Sequence, residues 1–460
     1  MINFRLYKPI FLSPFVLMGI YFLTGIPQNN IFFLTNFLIL LFSFCGMFFY
    51  PLRFYSLSKI VFIFIFIILG IVPLLNEIDN KTLFGNEFNI SDKIIANLII
   101  FIGILFFIMG NYIKINSFDR LFNSLPEIKK LNMFFYLLFF IVSFLILNKW
   151  NFDLNALLLR GTKGEAQSIF IYIDTNVAPQ ISFHFFTKFL RPMPFMFLFI
   201  FIYLYKRNKQ FFNRDQKLKN FILLWFLIVF SIFLNLPSSI DRSQTAILYI
   251  PMIIIFSKIW EKPFIMQASI LGGILILFPF LNQFRRFNSE QFNFKISLSH
   301  LQSGHFDAYQ NFVRAIEMDF ISYGNQLLGA LLFFVPRSFW PEKAIGSGSV
   351  VGIEQGYANS GISMPFIGEG FVNFGIIGSC LFMFLLGVTL GNLDRIAWKV
   401  KNLNQDCLFL YYYYLLFGMV FFIMRGDLIN SMAFLTGITA SFWTLVILLK
   451  FVTRLKFYQN

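Results

Sequence analysis

Apolar runs long enough to cross a bilayer, most of them free of charge, recur along this chain and constrain its fold more than any other feature. They lie at 9–26, 31–50, 59–75, 94–112, 133–149, 192–206, 219–235, 244–259, 264–281, 371–391, 408–424 and 432–450. A spanning helix needs about 20 mostly apolar residues, within a range of roughly 17–25. Hydrocarbon offers no water to backbone N–H and C=O groups, so each run has to satisfy them internally, as a helix does. The expectation is an all-α, polytopic integral membrane protein with about 12 transmembrane helices, forming one membrane-embedded domain over 1–460. Charged residues make up only 13% of the chain, against about a quarter in soluble domains. Pro192, Pro194 and Pro251 interrupt the sixth and eighth runs. Arg5 and Lys8 ahead of the first run resemble a signal peptide, but no small-residue cleavage site follows. That run reads as a retained first helix.

Lys and Arg set the orientation. With the N- and C-termini in the cytoplasm, 22 of the 37 basic residues fall on the inner side, many in short turns such as the one holding Lys206, Arg207, Lys209, Arg214, Lys217 and Lys219. The acidic residues divide 6 inside and 16 outside. Essentially the whole net charge of +15 is therefore an inner-face excess, as a bilayer imposes. It reads as topology and gives no reason to expect a nucleic-acid partner. With this orientation any chemistry would face the non-cytoplasmic side; on the resemblance given below, the membrane would be the bacterial cytoplasmic (inner) membrane and the chemistry would face the periplasm or exterior.

Two external segments are long, at about 150–191 and 282–370, and hold all three histidines, His184, His300 and His305. Loops longer than about 15 residues are usually functional or disordered, and these keep aromatic and aliphatic periodicity. Phe306, Tyr309, Phe312, Val313 and Ile316 fall at helical spacing and predict a short interfacial amphipathic helix. Gln326 through Val335 is apolar but too short to span. It predicts a re-entrant or surface-lying helix ended by Pro336. Cys45, Cys380 and Cys407 lie in or beside runs, which argues against a disulfide framework or a Cys-rich metal site.

Basic residues on the outer side oppose the bilayer's bias. Arg160, Lys163, Lys188, Arg191, Arg242, Arg285, Arg286, Arg314, Arg337, Lys343 and Arg425 are all there. Arginine holds phosphate oxygens bidentately and stays charged at low dielectric, so such a cluster suits a lipid diphosphate. Pairing with external carboxylates or phospholipid headgroups is the alternative. In Val335-Pro336-Arg337-Ser338-Phe339-Trp340-Pro341-Glu342-Lys343 two prolines stiffen a turn. That turn could aim Arg337 at phosphate while Trp340 stacks on a sugar, or Trp340 could anchor at the interface. Glu369 stands between Gly368 and Gly370 at the mouth of the tenth span, as a general base, an ion-pair partner or a helix N-terminal charge. Arg425-Gly426-Asp427 is a tight external turn, better suited to lining a cavity mouth than to protruding. His305 and Asp307 are acid–base candidates, with solvated or structural roles as the alternative. His300 and His305 alone do not make a metal site. Walker and nucleophile-elbow patterns are absent.

Phe306-Asp307 with Arg314-Ala315-Ile316-Glu317, then Pro336-Arg337-Ser338 with Trp340-Pro341 and Lys343, then Gly368-Glu369 with Asn373-Phe374-Gly375, and finally Arg425-Gly426-Asp427, follow one another in this chain. In order and topological position these pieces resemble the bacterial oligosaccharide-repeat-unit polymerases, the Wzy or O-antigen polymerase group. Arg337 and Gly348 also meet an Arg-x10-Gly spacing associated with that group, whereas Arg160 does not begin one. The resemblance implies external-face glycosyl transfer between two polyprenyl-diphosphate-linked oligosaccharides, building O-antigen, capsule or exopolysaccharide. It implies no nucleotide sugar, no metal and no other cofactor, and a flippase and a chain-length regulator as companions. On it, Arg337, Arg160, Arg425 and Arg314 are expected to contact diphosphate, Trp340 to stack on sugar, and Glu369, His305 or Asp307 to serve as base. A lipid-linked oligosaccharide flippase or transporter, and a ligase passing finished glycan to another acceptor, are the competing readings. Inverted repeats and broken helices, the marks of a transporter, are not evident in the sequence.

Overall fold

The computed structural model describes residues 30–49, 53–83, 87–126, 128, 133–154, 185–257, 259–262, 264–277, 298–357, 361–403 and 405–457. The apolar run at 9–26 lies outside them, and every other run falls on a helix. Among the described residues there is no strand. Among the described residues eight helices are long and apolar enough to cross a membrane: α1 Ile31–Phe48, α2 Leu57–Ile78, α3 Ile90–Tyr112, α6 Phe185–Phe211, α7 Arg214–Leu234, α13 Phe366–Asn402, α14 Leu408–Arg425 and α15 Leu428–Val452. Apolar but shorter are α5 Met133–Lys149, α8 Arg242–Ser257 and α9 Ile265–Ile276. The polar connections carry α4 Asn116–Ser124, α10 Ala308–Glu317, α11 Asn325–Leu331 and α12 Ser347–Glu354.

Helices α2 and α6 are apolar on all sides and sit inside the bundle, with Ile60 to Phe64 and Phe195 to Ile200 essentially inaccessible. By contrast, α7 exposes Phe221, Ile222, Trp225 and Val229, and α5 exposes Leu137, Phe140 and Phe144. Such faces suit lipid and not water.

The most intimate pair is α3 with α13. Added Cβ atoms at Gly110 and Gly387 would strike the carbonyls of Phe384 and Phe107, and one at Gly391 would meet the Asn111 carbonyl at 2.7 Å. Lipid tails are as apolar as leucine, so membrane helices associate by such close packing of small residues. One end of the seam is fastened by Asp394 of α13. Its carboxylate accepts from Leu57 N at 2.8 Å, Ser58 N at 3.1 Å, Ser58 Oγ at 2.7 Å and Tyr413 Oη at 2.5 Å. It thereby satisfies the orphan N–H groups that open α2 and ties in α14.

Helix α13 is in fact two helices. Phe374 and Gly375 leave the helical region, with Gly375 at φ +63° and ψ −152°. The chain reverses there. Ser379 Oγ donates to Ile367 O at 2.9 Å, and the Phe366 and Phe382 rings are 5.5 Å apart. In one straight helix residues 16 apart would be separated by roughly 24 Å. Gly370 and Gly378 make the reversal possible, since a Cβ on either would enter the other's backbone. The short limb 366–373, here α13a, lies against the long limb 376–402, here α13b. Carbonyls freed at the break find protein donors: Ser322 N reaches Val372 O at 2.6 Å, Gly324 N reaches Asn373 O at 3.1 Å, and Leu327 N reaches Asn373 Oδ1 at 2.7 Å. The span expected at 371–391 thus begins only after Gly375, and Glu369 belongs to a re-entrant turn.

Helix α10 appears where helical spacing predicts it, but Ala308 to Ala315 are all buried. It packs against α3, α12 and α13 instead of lying on a surface, because polar side chains on it are matched by protein partners. The run from Gln326 gives α11, which packs on α15.

At Gly375 a side chain would have to adopt backbone angles that only glycine takes readily, a strain of about 1–3 kcal/mol. Gly375→Ala should lower the thermal midpoint of the detergent-purified protein, measured by loss of the monodisperse size-exclusion peak. Gly272→Ala, where an added Cβ meets nothing within 4 Å, should leave the midpoint unchanged or raise it.

Candidate functional site

The motifs at 305–307, 369 and 425–427 converge on the junction between α14 and α15. Arg425 ends α14 and turns its guanidinium inward. Its Nη2 donates to Asp307 Oδ1 at 3.2 Å and its Nε to the His305 carbonyl at 2.9 Å. Asp307 opens α10 and is almost wholly buried. It also accepts from Ser363 Oγ at 2.5 Å, Ser363 N at 3.1 Å and Asn311 Nδ2 at 3.0 Å. Asn311, one turn on, hands its amide to the Ser363 carbonyl as well, at 2.7 Å. Both His305 ring nitrogens are within 3.4–3.5 Å of Arg242 Nη2, at the start of α8.

Directly beside this group, Asp427 caps α15. Its carboxylate accepts from Asn430 N at 2.9 Å and Asn430 Nδ2 at 2.7 Å, the arrangement expected of an aspartate at a helix start. Glu369, with no accessible surface, accepts from Leu428 N at 2.9 Å through Oε1 and from Ser347 Oγ at 2.7 Å through Oε2. The carboxylates of Glu369 and Asp427 are within electrostatic reach of each other. Lys188, buried in α6, acts electrostatically on Asp427 and Asp241, with its ammonium 4.3 Å from the Phe434 ring centroid.

Two glycines let these segments meet. A Cβ on Gly346 would sit 2.8 Å from the Asp427 carboxyl carbon, and one on Gly348 would enter the Ile362 carbonyl. Gly348, the end of the Arg-x10-Gly spacing, therefore allows the segment carrying Ser363 to approach α12.

Arg337 and Trp340 stand apart from this convergence. The Arg337 guanidinium donates to the carbonyls of Lys343 at 2.6 Å and Ala344 at 3.2 Å. Lys343 Nζ donates to those of Phe333 at 2.5 Å and Val335 at 3.0 Å. Burial, and then the neighbouring Arg337 charge, hold the Lys343 ammonium below the usual lysine range. These cations shape the turn that delivers Gly346 to Asp427, and Trp340 is half-buried within it. Arg314 is buried in an ion pair with Glu317 at 2.5 Å, its guanidinium 4.0 Å from the Phe88 ring centroid. Arg160 and His184 lie outside the described residues.

Of the nominated residues, then, His305, Asp307, Glu369 and Arg425 gather in one place. Lys188 and Arg242, present in the sequence only as two more external cations, join them, as do Asn311, Ser347 and Ser363. Among the described residues no group of His, Cys, Asp and Glu could hold a metal ion. Compared with family models, curated proteins and solved structures, the chain has no match.

Removing Arg425 would leave the buried Asp307 charge short of its cation, at a cost of about 1–3 kcal/mol. Arg425→Ala should lower the thermal midpoint. Arg425→Ala in an Asp307→Asn background should lower it less, and equal losses in both backgrounds would show the two side chains to be uncoupled.

Proposed function

We propose that this protein polymerises polyprenyl-diphosphate-linked oligosaccharide repeat units into a surface polysaccharide, at the external face of a bacterial cytoplasmic membrane crossed about twelve times. The observation that carries the reading is the gathering of Arg425 and Arg242 around His305 and Asp307 at one end of the bundle. Several apolar helices support a membrane-embedded chain. The motif order that resembles the polymerase group supplies the reaction class, and the Lys and Arg distribution supplies the side.

In the reaction a hydroxyl oxygen of the acceptor's terminal sugar attacks the anomeric carbon of the donor's reducing-end sugar. The bond from that carbon to the diphosphate oxygen breaks, and polyprenyl diphosphate leaves with the electron pair. Charge grows on the leaving oxygens, where fixed cations stabilise it more than in the ground state. Arg425 and Arg242 take that task, with Lys188 behind them. Asp307 is a positioning residue. Four donors hold it, and it in turn holds Arg425.

The acceptor proton needs a base. Asp307 and Glu369 are buried with their oxygens engaged by protein donors, so the part goes to His305, whose side chain is partly accessible and whose ring nitrogens stand at the long limit of hydrogen-bond reach from Arg242. Glu369 is read as a positioning residue that fixes the start of α15 against α12. The Arg337 turn, with Trp340 within it, holds Gly346 against Asp427, and Arg314 fixes α10 from its other side.

A strain lacking its own copy of the gene tests the assignment. Arg425→Ala, at normal protein level, should abolish long-chain polysaccharide and accumulate single lipid-linked repeat units. In a purified system, defined lipid-linked repeats should yield a ladder of products. A single transfer would support a ligase instead, and translocation with no new bond a flippase.

His305→Ala should reduce ladder formation at least about 100-fold, the usual contribution of a positioned base. Glu369→Gln, which keeps an acceptor for Leu428 N, should lose far less. The reverse order, read from initial rates, would move the base from His305 to Glu369.

A further inference from the structure

The chain between α10 and α12 carries an apolar face that the site does not use. One side of α11 is closed. Gln326, Gly329 and Ala330 are buried there, and Ala330 joins Phe382 of α13b and Leu428 of α15 in one small core. The other side is open. Leu328 and Leu331, three residues apart, share it. Both are about half exposed, as is Phe334 just past the helix, and Phe339 is 83% exposed. An apolar patch of this kind marks a contact surface.

The backbone beneath the patch indicates what covers it. From the end of α11 at Leu331 to the start of α12 at Ser347 the chain is irregular, yet protein donors reach its carbonyls. Lys343 Nζ serves those of Phe333 and Val335, and Arg337 serves those of Lys343 and Ala344. On a wet surface water would satisfy these oxygens, and a lysine ammonium would keep its strong hydration. Both cations instead turn back onto the chain, as irregular backbone at membrane depth requires. No charged residue occurs from Gly324 to Pro336.

Continuity with a spanning helix points the same way. Ile377, Leu381 and Leu385 of α13b are exposed at a spacing of four, an apolar stripe along a helix able to cross a membrane. Helix α11 packs beside that helix, and a Cβ on Gly324 would lie 3.1 Å from the Phe374 ring. Phe382 stands seven residues past Gly375, or about 10 Å along α13b at 1.5 Å per residue. The core that α11 shares with it therefore lies within the length of the span and not beyond its end. Tyr323, 86% exposed, and Trp340 flank the segment, as aromatic residues do where hydrocarbon meets headgroups.

We propose that residues 325–339 dip into the hydrocarbon of the leaflet at the end of the bundle that holds Arg425, with Leu328, Leu331, Phe334 and Phe339 against lipid acyl chains. The inference goes beyond the reaction proposed above and stands without it. The same turn carries Gly346 to Asp427, so the segment in lipid is tied directly to the Arg425-Gly426-Asp427 turn.

The test uses the unaltered chain in nanodiscs of phosphatidylcholine and phosphatidylglycerol, with part of the phosphatidylcholine bearing a diazirine on an acyl chain. After irradiation, mass spectrometry should find lipid adducts over 328–339 as over 377–385, and none over 213–219, the exposed polar start of α7. Adducts over 377–385 with none over 328–339 would place the segment in water or against a second copy, and would overturn the proposal. Lys343→Met gives a second measurement in the same nanodiscs. In lipid nothing replaces the donors lost to Phe333 and Val335, so the thermal midpoint should fall. In water those carbonyls would be rehydrated, and an unchanged midpoint would overturn the proposal too. Should the variant fail to fold, the labelling of the unaltered chain decides. Lipid adducts over 328–339 without a product ladder would sink the polymerase reading alone, whereas a ladder from a chain unlabelled there would sink this inference alone.

Discussion

A backbone that breaks inside a membrane bundle must find hydrogen-bond partners in protein, because lipid has none to give. The reversal at Phe374 and Gly375 is where this protein meets that demand, and much of the arrangement around Arg425 follows from it. The carbonyls of Val372 and Asn373 are met by Ser322 and Gly324, which fixes the segment leading from α10 to α11. The reversed limb α13a presents Glu369 to the start of α15. That contact sets the Arg425-Gly426-Asp427 turn, and the turn delivers Arg425 to Asp307. A glycine conformation and two glycine contacts thus sit beneath the whole cation cluster.

The cluster shows how external charge is tolerated at the rim of an apolar bundle. Buried charges persist when they are paired and hydrogen-bonded. Asp307 has Arg425, Ser363 and Asn311, and Glu369 has Ser347 and a helix N-terminus. Arg337 and Lys343 meet the same demand with backbone carbonyls. The result is a division of labour among residues that look alike in the sequence. Some cations build turns, and others stand beside His305.

Much of this was legible in one sequence. Charge-free runs located the helices, since burying 20 residues in lipid leaves little choice of side chain. Helical spacing located α10. The motifs at 305–307, 369 and 425–427 were legible as a group because hydrophobic rules do not explain charged residues there. What was hidden has a common cause. Gly368, Gly370, Gly375 and Gly378 announced close approach, but glycine does not say what approaches it, so the reversal of α13 was invisible. The partners of Asp307 and Glu369 are serine, asparagine and backbone N–H groups, which have no pattern of their own. Arg337 looked like a phosphate ligand because its chemistry allows that role. Only the geometry of its turn shows three nearby carbonyls taking its donors.

The seam between α3 and α13b has a mechanical meaning. Where Gly110, Gly387 and Gly391 bring backbone onto backbone, no side chains remain between the helices to slide or change rotamer. The two then move as one beam, with Asp394 bolting α2 and α14 to its far end. Any displacement of one helix against another must be taken up elsewhere in the bundle. The π-helical stretches Phe185–Leu190 and Gly273–Leu277 lie outside the seam, where the regular hydrogen-bond ladder is already interrupted. The bundle accordingly joins a stiff inner beam to a flank of exposed apolar helices, α5 and α7.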